Sequence, residues 1–202
     1  MLEFVADIMT ATGVLGIFLL MLAENVFPPI PSEAIMPVAG FAAAQGKMNP
    51  LSVFVAGNAG AILGNALWYE GARSVGQARI ERAADRWGRF VGIIGEDVRE
   101  ASALLVRWGV WAVLICRCLP GPRTLISVPA GLVRMNRAVF YLATVIGTCL
   151  WTGFLMAAGW LLQGQWERIG YWMEPLGVAV LAAAALAYGW HLWRTRGRWR
   201  SR

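Results

Sequence analysis

Long uncharged runs alternate with short polar breaks along this chain of 202 residues, and the runs differ in length in an informative way. Ala138–Leu162 holds no charged residue over 25 positions and Pro175–Trp193 none over 19. At about 1.5 Å of rise per residue, each predicts a helix able to cross a hydrocarbon core of about 30 Å. Met48–Tyr69 is uncharged over 22 positions but seeded with Asn49, Asn58 and Asn65 and with Gly57, Gly60 and Gly64. Small residues permit close helix approach, so this span is expected inside a bundle.

Two further apolar regions are interrupted at their centres. The first runs from Leu15 to Ala23, breaks over Glu24-Asn25-Val26-Phe27-Pro28-Pro29-Ile30-Pro31-Ser32-Glu33, and continues uncharged to Gly46. The second runs from Trp108 to Cys116, breaks over Arg117-Cys118-Leu119-Pro120-Gly121-Pro122-Arg123, and continues from Thr124 to Val133. Arms of about ten to fifteen residues reach only ~15–22 Å as helix, half to two-thirds of a bilayer. They predict re-entrant hairpins over residues 13–46 and 108–134, since a loop between two short spans leaves each arm below the ~20 residues a crossing needs. Irregular backbone at membrane depth is tolerated only beside protein or a water-filled cavity, so both breaks are expected to line a cavity.

The two breaks align with each other. At an offset of 91, Pro29-x-Pro31 falls on Pro120-x-Pro122, Ile35 on Ile126 and Ala39-Gly40 on Ala130-Gly131, five identities in twelve positions. An internal repeat follows, with Pro29, Pro31 and Gly40 shaping one hairpin and Pro120, Gly121, Pro122 and Gly131 the other.

Charge placement orients the copies. Residues 1–46 contain no Lys or Arg, residues 71–107 carry seven arginines, and the tail 194–202 carries five with no acid. Positive residues beside apolar spans favour the cytoplasm. The segment 71–107, which mixes seven basic with five acidic residues, is then a cytoplasmic amphipathic pair of helices, and the hairpins enter from opposite faces. The predicted fold is an all-α integral membrane protein in one domain, 1–202: an inverted repeat of two re-entrant helical hairpins plus transmembrane helices. Inverted repeats place their site at the midplane, where the breaks meet. The C-terminus is expected on the cytoplasmic side. The acidic start, with Glu3 and Asp7, lacks the basic region of a cleaved signal peptide and is read as mature protein.

Composition narrows the class. Hydrophobic residues make up 58% of the chain and charged ones 15%, against about 25% charged in soluble domains, which excludes a disordered chain and an ordinary soluble enzyme. The net charge of +6 resides in topology-setting arginines, and with no recognition-helix pattern no nucleic-acid partner is expected. Cys116, Cys118 and Cys149 have no paired-ligand spacing and His191 is the one histidine, so neither metal nor cofactor is expected.

The hairpin tips hold the candidate chemistry. One offers Glu24 and Glu33 with Asn25 and Ser32; the other offers Arg117 and Arg123 with Thr124 and Ser127. Asn65, in the bundled span, joins Asn25 and Ser32 as a polar cavity residue. Ionisable groups at membrane depth must pair or line a polar path. Arginine's planar fork suits phosphate, so Arg117 and Arg123, with Thr124 and Ser127, are candidates to bind an anionic headgroup. Glu24 and Glu33 could alternate between an arginine and a proton. A purely structural lock of fixed ion pairs is the alternative, and Glu33 has a local one: Ser32 as helix N-cap with Glu33 in the first turn.

Glu24-x4-Pro29-x-Pro31-Ser32-Glu33-x6-Gly40 and Gly64-Asn65-x3-Tyr69 precede a third motif. This is Arg117-x2-Pro120-Gly121-x-Arg123-Thr124-x5-Ala130-Gly131-x3-Met135-x4-Phe140. Together, over roughly residues 15–165, they resemble the DedA family of bacterial inner-membrane proteins. These belong to the wider SNARE-associated or VTT-domain group that includes eukaryotic lipid scramblases. The resemblance implies a lipid transporter, with undecaprenyl phosphate recycling or phospholipid translocation as its work, often dependent on the proton gradient. Carried over by position, the acidic motif falls on Glu24 and Glu33 and the arginine motif on Arg117 and Arg123. Asn65 departs from the pattern, since many relatives carry Asp there, which leaves one titratable group fewer.

The expected function is a flippase for a polyprenyl phosphate, with membrane lipids and protons as partners. A phospholipid translocase, for example of phosphatidylethanolamine, is the runner-up. A small-anion carrier stands further off because a single substrate-sized site does not explain the lipid-facing architecture the resemblance implies, and a membrane phosphatase because neither Cys118 nor Cys116 has phosphatase-loop spacing to Arg123 and no histidine lies near a tip. Small-residue faces such as Gly147, Gly153 and Gly159 could pack within a monomer or across a homo-oligomer.

Overall fold

The computed structural model describes residues 12–26, 32–80, 82, 95–119 and 122–161. The tips at 27–31 and 120–121 lie outside them, and with the tips Pro29, Pro31, Pro120 and Gly121. So do the expected span Pro175–Trp193 and the basic tail. Among the described residues eight principal helices carry the fold, and no strand occurs.

The first broken region forms α1 (Val14–Val26) and α2 (Ser32–Ala44), of 13 residues each. At about 1.5 Å per residue either reaches only ~20 Å, the length of a half-span. The seeded span forms α3 (Pro50–Val75). It starts where Asn49 Oδ1 accepts from the backbone N–H groups of Leu51 and Ser52, with Pro50 at the first helical position, and ends at Gly76. It runs past the uncharged stretch, so Glu70 and Arg73 belong to its last turns rather than to a separate amphipathic segment.

The second broken region is more divided than its pattern suggests. The amphipathic α4 (Gly95–Trp108) ends at Gly109, whose φ of 54° lies in the left-handed region, and α5 (Val110–Arg117) starts anew. The apolar arm expected from Trp108 is thereby cut at its first residue, because glycine adopts this conformation without a Cβ clash. The return arm is also split, into α6 (Pro122–Leu125) and α7 (Ser127–Leu132). The last described helix, α8 (Arg137–Leu161), matches the expected span almost residue for residue. Only α3 and α8, with 26 and 25 residues, are long and apolar enough among the described residues to cross a membrane.

The short helices pack reciprocally on the long ones. Helix α1 lies along α3 and α5 along α8, while α2 crosses to α8 and α7 to α3. The aligned glycines sit at the crossings: a Cβ on Gly40 would strike the Met156 carbonyl of α8, and one on Gly131 the Tyr69 carbonyl of α3. The Ala-Gly pair shared by the two breaks is therefore where α2 meets α8 and where α7 meets α3.

Two apolar clusters result. One gathers Ile17, Met21, Ile35, Met36, Val53 and Leu155, the other Tyr69, Leu105, Val113, Ile126 and Phe140. Between them on α8 lie the buried Thr144, Thr148 and Thr152, and on α3 the buried Asn65. The outward face of α8 instead shows Leu142, Leu150, Phe154 and Leu161. Large apolar side chains outside and small polar ones inside reverse the soluble pattern, and suit helices that face lipid and adhere through polar contacts.

Candidate functional site

Five helices bring charged and polar side chains to the layer between the clusters. The last turn of α1 delivers Glu24 and Asn25, the last residue of α5 is Arg117, and α6 carries Arg123. Helix α7 begins with Ser127, and α3 supplies Asn65 at its middle. All six are buried. Close approach is possible because glycine faces two of the arrivals: a Cβ on Gly64 would lie 2.6 Å from Asn25 Cβ, and one on Gly147 would lie 2.6 Å from Arg117 Cβ.

These side chains form one continuous chain of hydrogen bonds. Arg117 Nη2 donates to Ser127 Oγ at 3.0 Å, and Ser127 Oγ donates to Asn65 Oδ1 at 2.9 Å. Asn65 Nδ2 donates to Asn25 Oδ1 at 2.8 Å, and Asn25 Nδ2 donates to Glu24 Oε2 at 2.7 Å. The other carboxylate oxygen, Glu24 Oε1, accepts from Arg123 Nη2 in a buried ion pair. Every donor in the chain points toward Glu24, so this one carboxylate terminates the network from both sides. The indole N–H of Trp68 donates to the Asn25 carbonyl at 3.0 Å and holds the α1 terminus against α3.

The two arginines are satisfied differently. Arg123 has its carboxylate. Arg117 is 2% exposed, and among the described residues no acid pairs with it. Its partners are the hydroxyls of Ser127 and Thr144, the latter at 3.1 Å, and the Phe140 ring, whose centre lies 5.7 Å from the guanidinium carbon. Its Nε–H makes no hydrogen bond. The Trp151 indole N–H is likewise buried without a partner.

Both of these residues line a cavity together with Arg123, Asn25, Asn65, Thr148 and Thr152. Its volume is about 10 Å³, the scale of a single water molecule. The water-filled cavity expected around the breaks is therefore closed down here to a polar void, too small for a lipid headgroup.

The remaining candidates lie apart. Glu33 is in the first turn of α2, half-buried and outside the network. Ser32 does not cap that helix: it is a helical residue, fully buried, with an unbonded Oγ. Thr124 is buried beside Arg123 but does not line the cavity. Sequence reasoning missed Thr144, Thr148 and Thr152, and Asn58, which accepts from Thr152 Oγ1 at 3.0 Å. The threonines recur every fourth residue of an uncharged span, so their shared helix face was a usable signal.

A model of the VTT domain matches residues 30–161. "Undecaprenyl phosphate transporter A" of Staphylococcus aureus is 33% identical over 167 residues, 83% of this chain and 82% of that protein. The Bacillus subtilis protein of the same name is 24% identical over 163 residues, 79% of this chain and 80% of that protein. An "Alkaline phosphatase-like protein" of Lactococcus lactis subsp. cremoris is 31% identical over 189 residues, covering 93% of this chain and 88% of that protein. No solved structure matches the chain.

Proposed function

This membrane protein belongs to the VTT-domain (DedA) family, and from that premise we propose that it carries the headgroup of a polyprenyl phosphate, undecaprenyl phosphate foremost, across the bacterial inner membrane. The observation that carries this is Arg117. A buried guanidinium without a counter-ion is costly by several kcal/mol, and a site that keeps one is built for an anion that comes and goes. Arg117 offers an unused Nε–H to the cavity, and the Trp151 N–H stands beside it. Arg123, with Thr124 and Ser127 near, supplies the second guanidinium once Glu24 releases it.

Charge accounting supports a role for protons. The closed network holds two guanidiniums against one carboxylate, a net charge of one positive. A phosphate monoester brings about −1.5 to −2. Its entry leaves the site negative unless Glu24 takes a proton as Arg123 turns from it to the phosphate. Glu33 is the second carboxylate assigned to proton coupling. We take 1–202 as one domain, an inverted repeat of two re-entrant hairpins with its C-terminus in the cytoplasm. Reciprocal packing of the short helices on α3 and α8 supports the repeat.

The test is translocation in proteoliposomes. Arg117→Ala and Arg123→Ala are expected to abolish movement of undecaprenyl phosphate, and unchanged transport in both sinks the assignment. Glu24→Gln and Glu33→Gln are expected to flatten its pH dependence. Phosphatidylethanolamine in place of the lipid phosphate tests the phospholipid alternative. A phosphatase alternative is prompted by the name of the Lactococcus protein. Release of inorganic phosphate from the lipid by the purified protein would establish that instead.

A further inference from the structure

We propose a second anion site: the recess between the ends of α3 and α8, framed by Glu70, Arg73, Ser74, Arg134 and Arg137, binds a phosphate group at the membrane interface. The recess has a volume of about 240 Å³, against about 10 Å³ for the buried cavity. Its position follows from the apolar runs, since Glu70 comes directly after the uncharged stretch ending at Tyr69 and Arg137 directly before the one starting at Ala138. Both therefore sit where lipid headgroups begin.

Three guanidiniums face one carboxylate in this recess, and each is held differently. Arg137 grips Glu70 with both ends of its fork, Nε to Oε1 and Nη2 to Oε2, each at 2.9 Å. Arg73 Nη1 donates to Tyr69 Oη at 2.8 Å and to the Met135 carbonyl at 2.9 Å, which fixes the head of the side chain. Arg134 is exposed and, among the described residues, forms no ion pair or side-chain hydrogen bond. One pair is neutral, so the recess keeps two positive charges, one of them on an unengaged fork. A phosphate takes that geometry bidentately.

The backbone at Arg134 is unusual as well. Its φ is 53°, in a turn closing α7 where Arg134 N–H donates to the Gly131 carbonyl and Met135 N–H to the Ala130 carbonyl. Glycine is the residue such a helix end favours, and an arginine there is strained. The side chain sits at the recess against the preference of its own backbone.

The recess also touches the buried site through two rings. Arg73 lies 5.9 Å from the centre of the Tyr69 ring, Tyr69 stacks on Phe140 at 4.0 Å, and Phe140 carries Arg117 on its face. As a first station for a headgroup on its way to Arg117, the recess rests on the transport function proposed above; as a phosphate site it stands alone.

Calorimetric titration of the purified full chain in uncharged detergent tests it, with three probes: inorganic phosphate, dihexanoyl phosphatidic acid and dihexanoyl phosphatidylcholine. The background is Arg117→Gln, so that the buried site does not report. The phosphatidic acid is expected to bind there, Arg134→Gly to weaken it about fivefold and Arg134→Lys less than twofold. Arg134→Gly removes backbone strain, so its melting temperature should stay level or rise, which separates lost binding from lost folding. Competition by inorganic phosphate identifies the bare phosphate as ligand; its failure to compete identifies the lipid phosphate. Equal affinity with and without Arg134, or equal binding of the phosphatidylcholine, overturns the site. If the parent protein moves no undecaprenyl phosphate in proteoliposomes while Arg134→Gly still weakens binding of the phosphatidic acid, the transport function fails and the recess stands.

Discussion

Glu24 receives both ends of the network, so its replacement by Gln is the sharpest perturbation of the site. The change is nearly isosteric, yet it converts an acceptor of two donors into a group with one acceptor and one donor. Either the Asn25 amide or the Arg123 guanidinium then faces an N–H, and Arg123 is left buried with no counter-ion. Breaking a buried pair from one side costs about 3–5 kcal/mol. At roughly 2–4 °C per kcal/mol for a chain of this size, Glu24→Gln should lower the melting temperature in detergent by roughly 10 °C. Arg123→Met should cost less, because Glu24 can shed its charge by taking a proton while arginine cannot. The double variant removes both charges and should recover most of the loss, since replacing both partners of a buried pair is often close to neutral. Scanning fluorimetry of the four proteins completes the cycle. A loss below about 1 kcal/mol in Glu24→Gln, or strictly additive losses in the double variant, would refute a tightly coupled buried pair.

Arg117→Met should behave in the opposite way: two hydrogen bonds to hydroxyls are lost, but so is an unpaired buried charge. Stability should stay within about 2 kcal/mol of the parent while undecaprenyl phosphate translocation disappears, and a protein that no longer folds would assign Arg117 to structure. Gly131→Val drives a side chain into the Tyr69 carbonyl and should cost about 1–3 kcal/mol or prevent assembly, whereas Gly71→Ala, with no atom within 4 Å of the added Cβ, should be neutral or stabilising by about 0.5–1 kcal/mol in thermal melts. Asn49→Ala removes the acceptor for two N–H groups at the start of α3 and should cost about 1 kcal/mol in the same assay. Thr144→Val keeps the shape but removes a partner of Arg117, and should weaken binding of a short-chain lipid phosphate severalfold by calorimetry.

The short helices α1 and α2, the long helix α8 and the burial of the two arginines were legible because charge and proline are so costly in an apolar run that few placements survive. Gly40 and Gly131 were singled out by the Ala-Gly shared at one offset, but as residues that shape a hairpin; that each lies against a carbonyl of a long helix depends on packing. The break at Gly109 was hidden, because one glycine beside Trp108 does not declare its φ. Ser32 misled: Pro-Ser-Glu before an apolar run is an N-cap pattern, yet burial of the α2 start carried the serine into the helix. The threonine face of α8 was marked by its four-residue spacing, but the Arg73–Tyr69–Phe140–Arg117 contacts were hidden in a deeper sense. They depend on which helix α7 and α5 pack against, and no local pattern encodes that.

Asn65 joins the two sides of the network because its side chain is an amide. It accepts from Ser127 through Oδ1 and donates through Nδ2 to Asn25 and to the Ala61 carbonyl. An ionised carboxylate at this position could accept from Ser127 but could give nothing to Asn25 Oδ1, so the chain of donors would stop halfway. With an amide it continues, and the hydroxyl on Arg117 is oriented by a line of groups ending at Glu24. Asn25 Nδ2 also donates to the Met21 carbonyl at 2.9 Å, which fixes the amide orientation that passes the line on to Glu24. In this protein one carboxylate, Glu24, holds Arg123 directly and, through Asn25, Asn65 and Ser127, closes the line of donors that begins at Arg117.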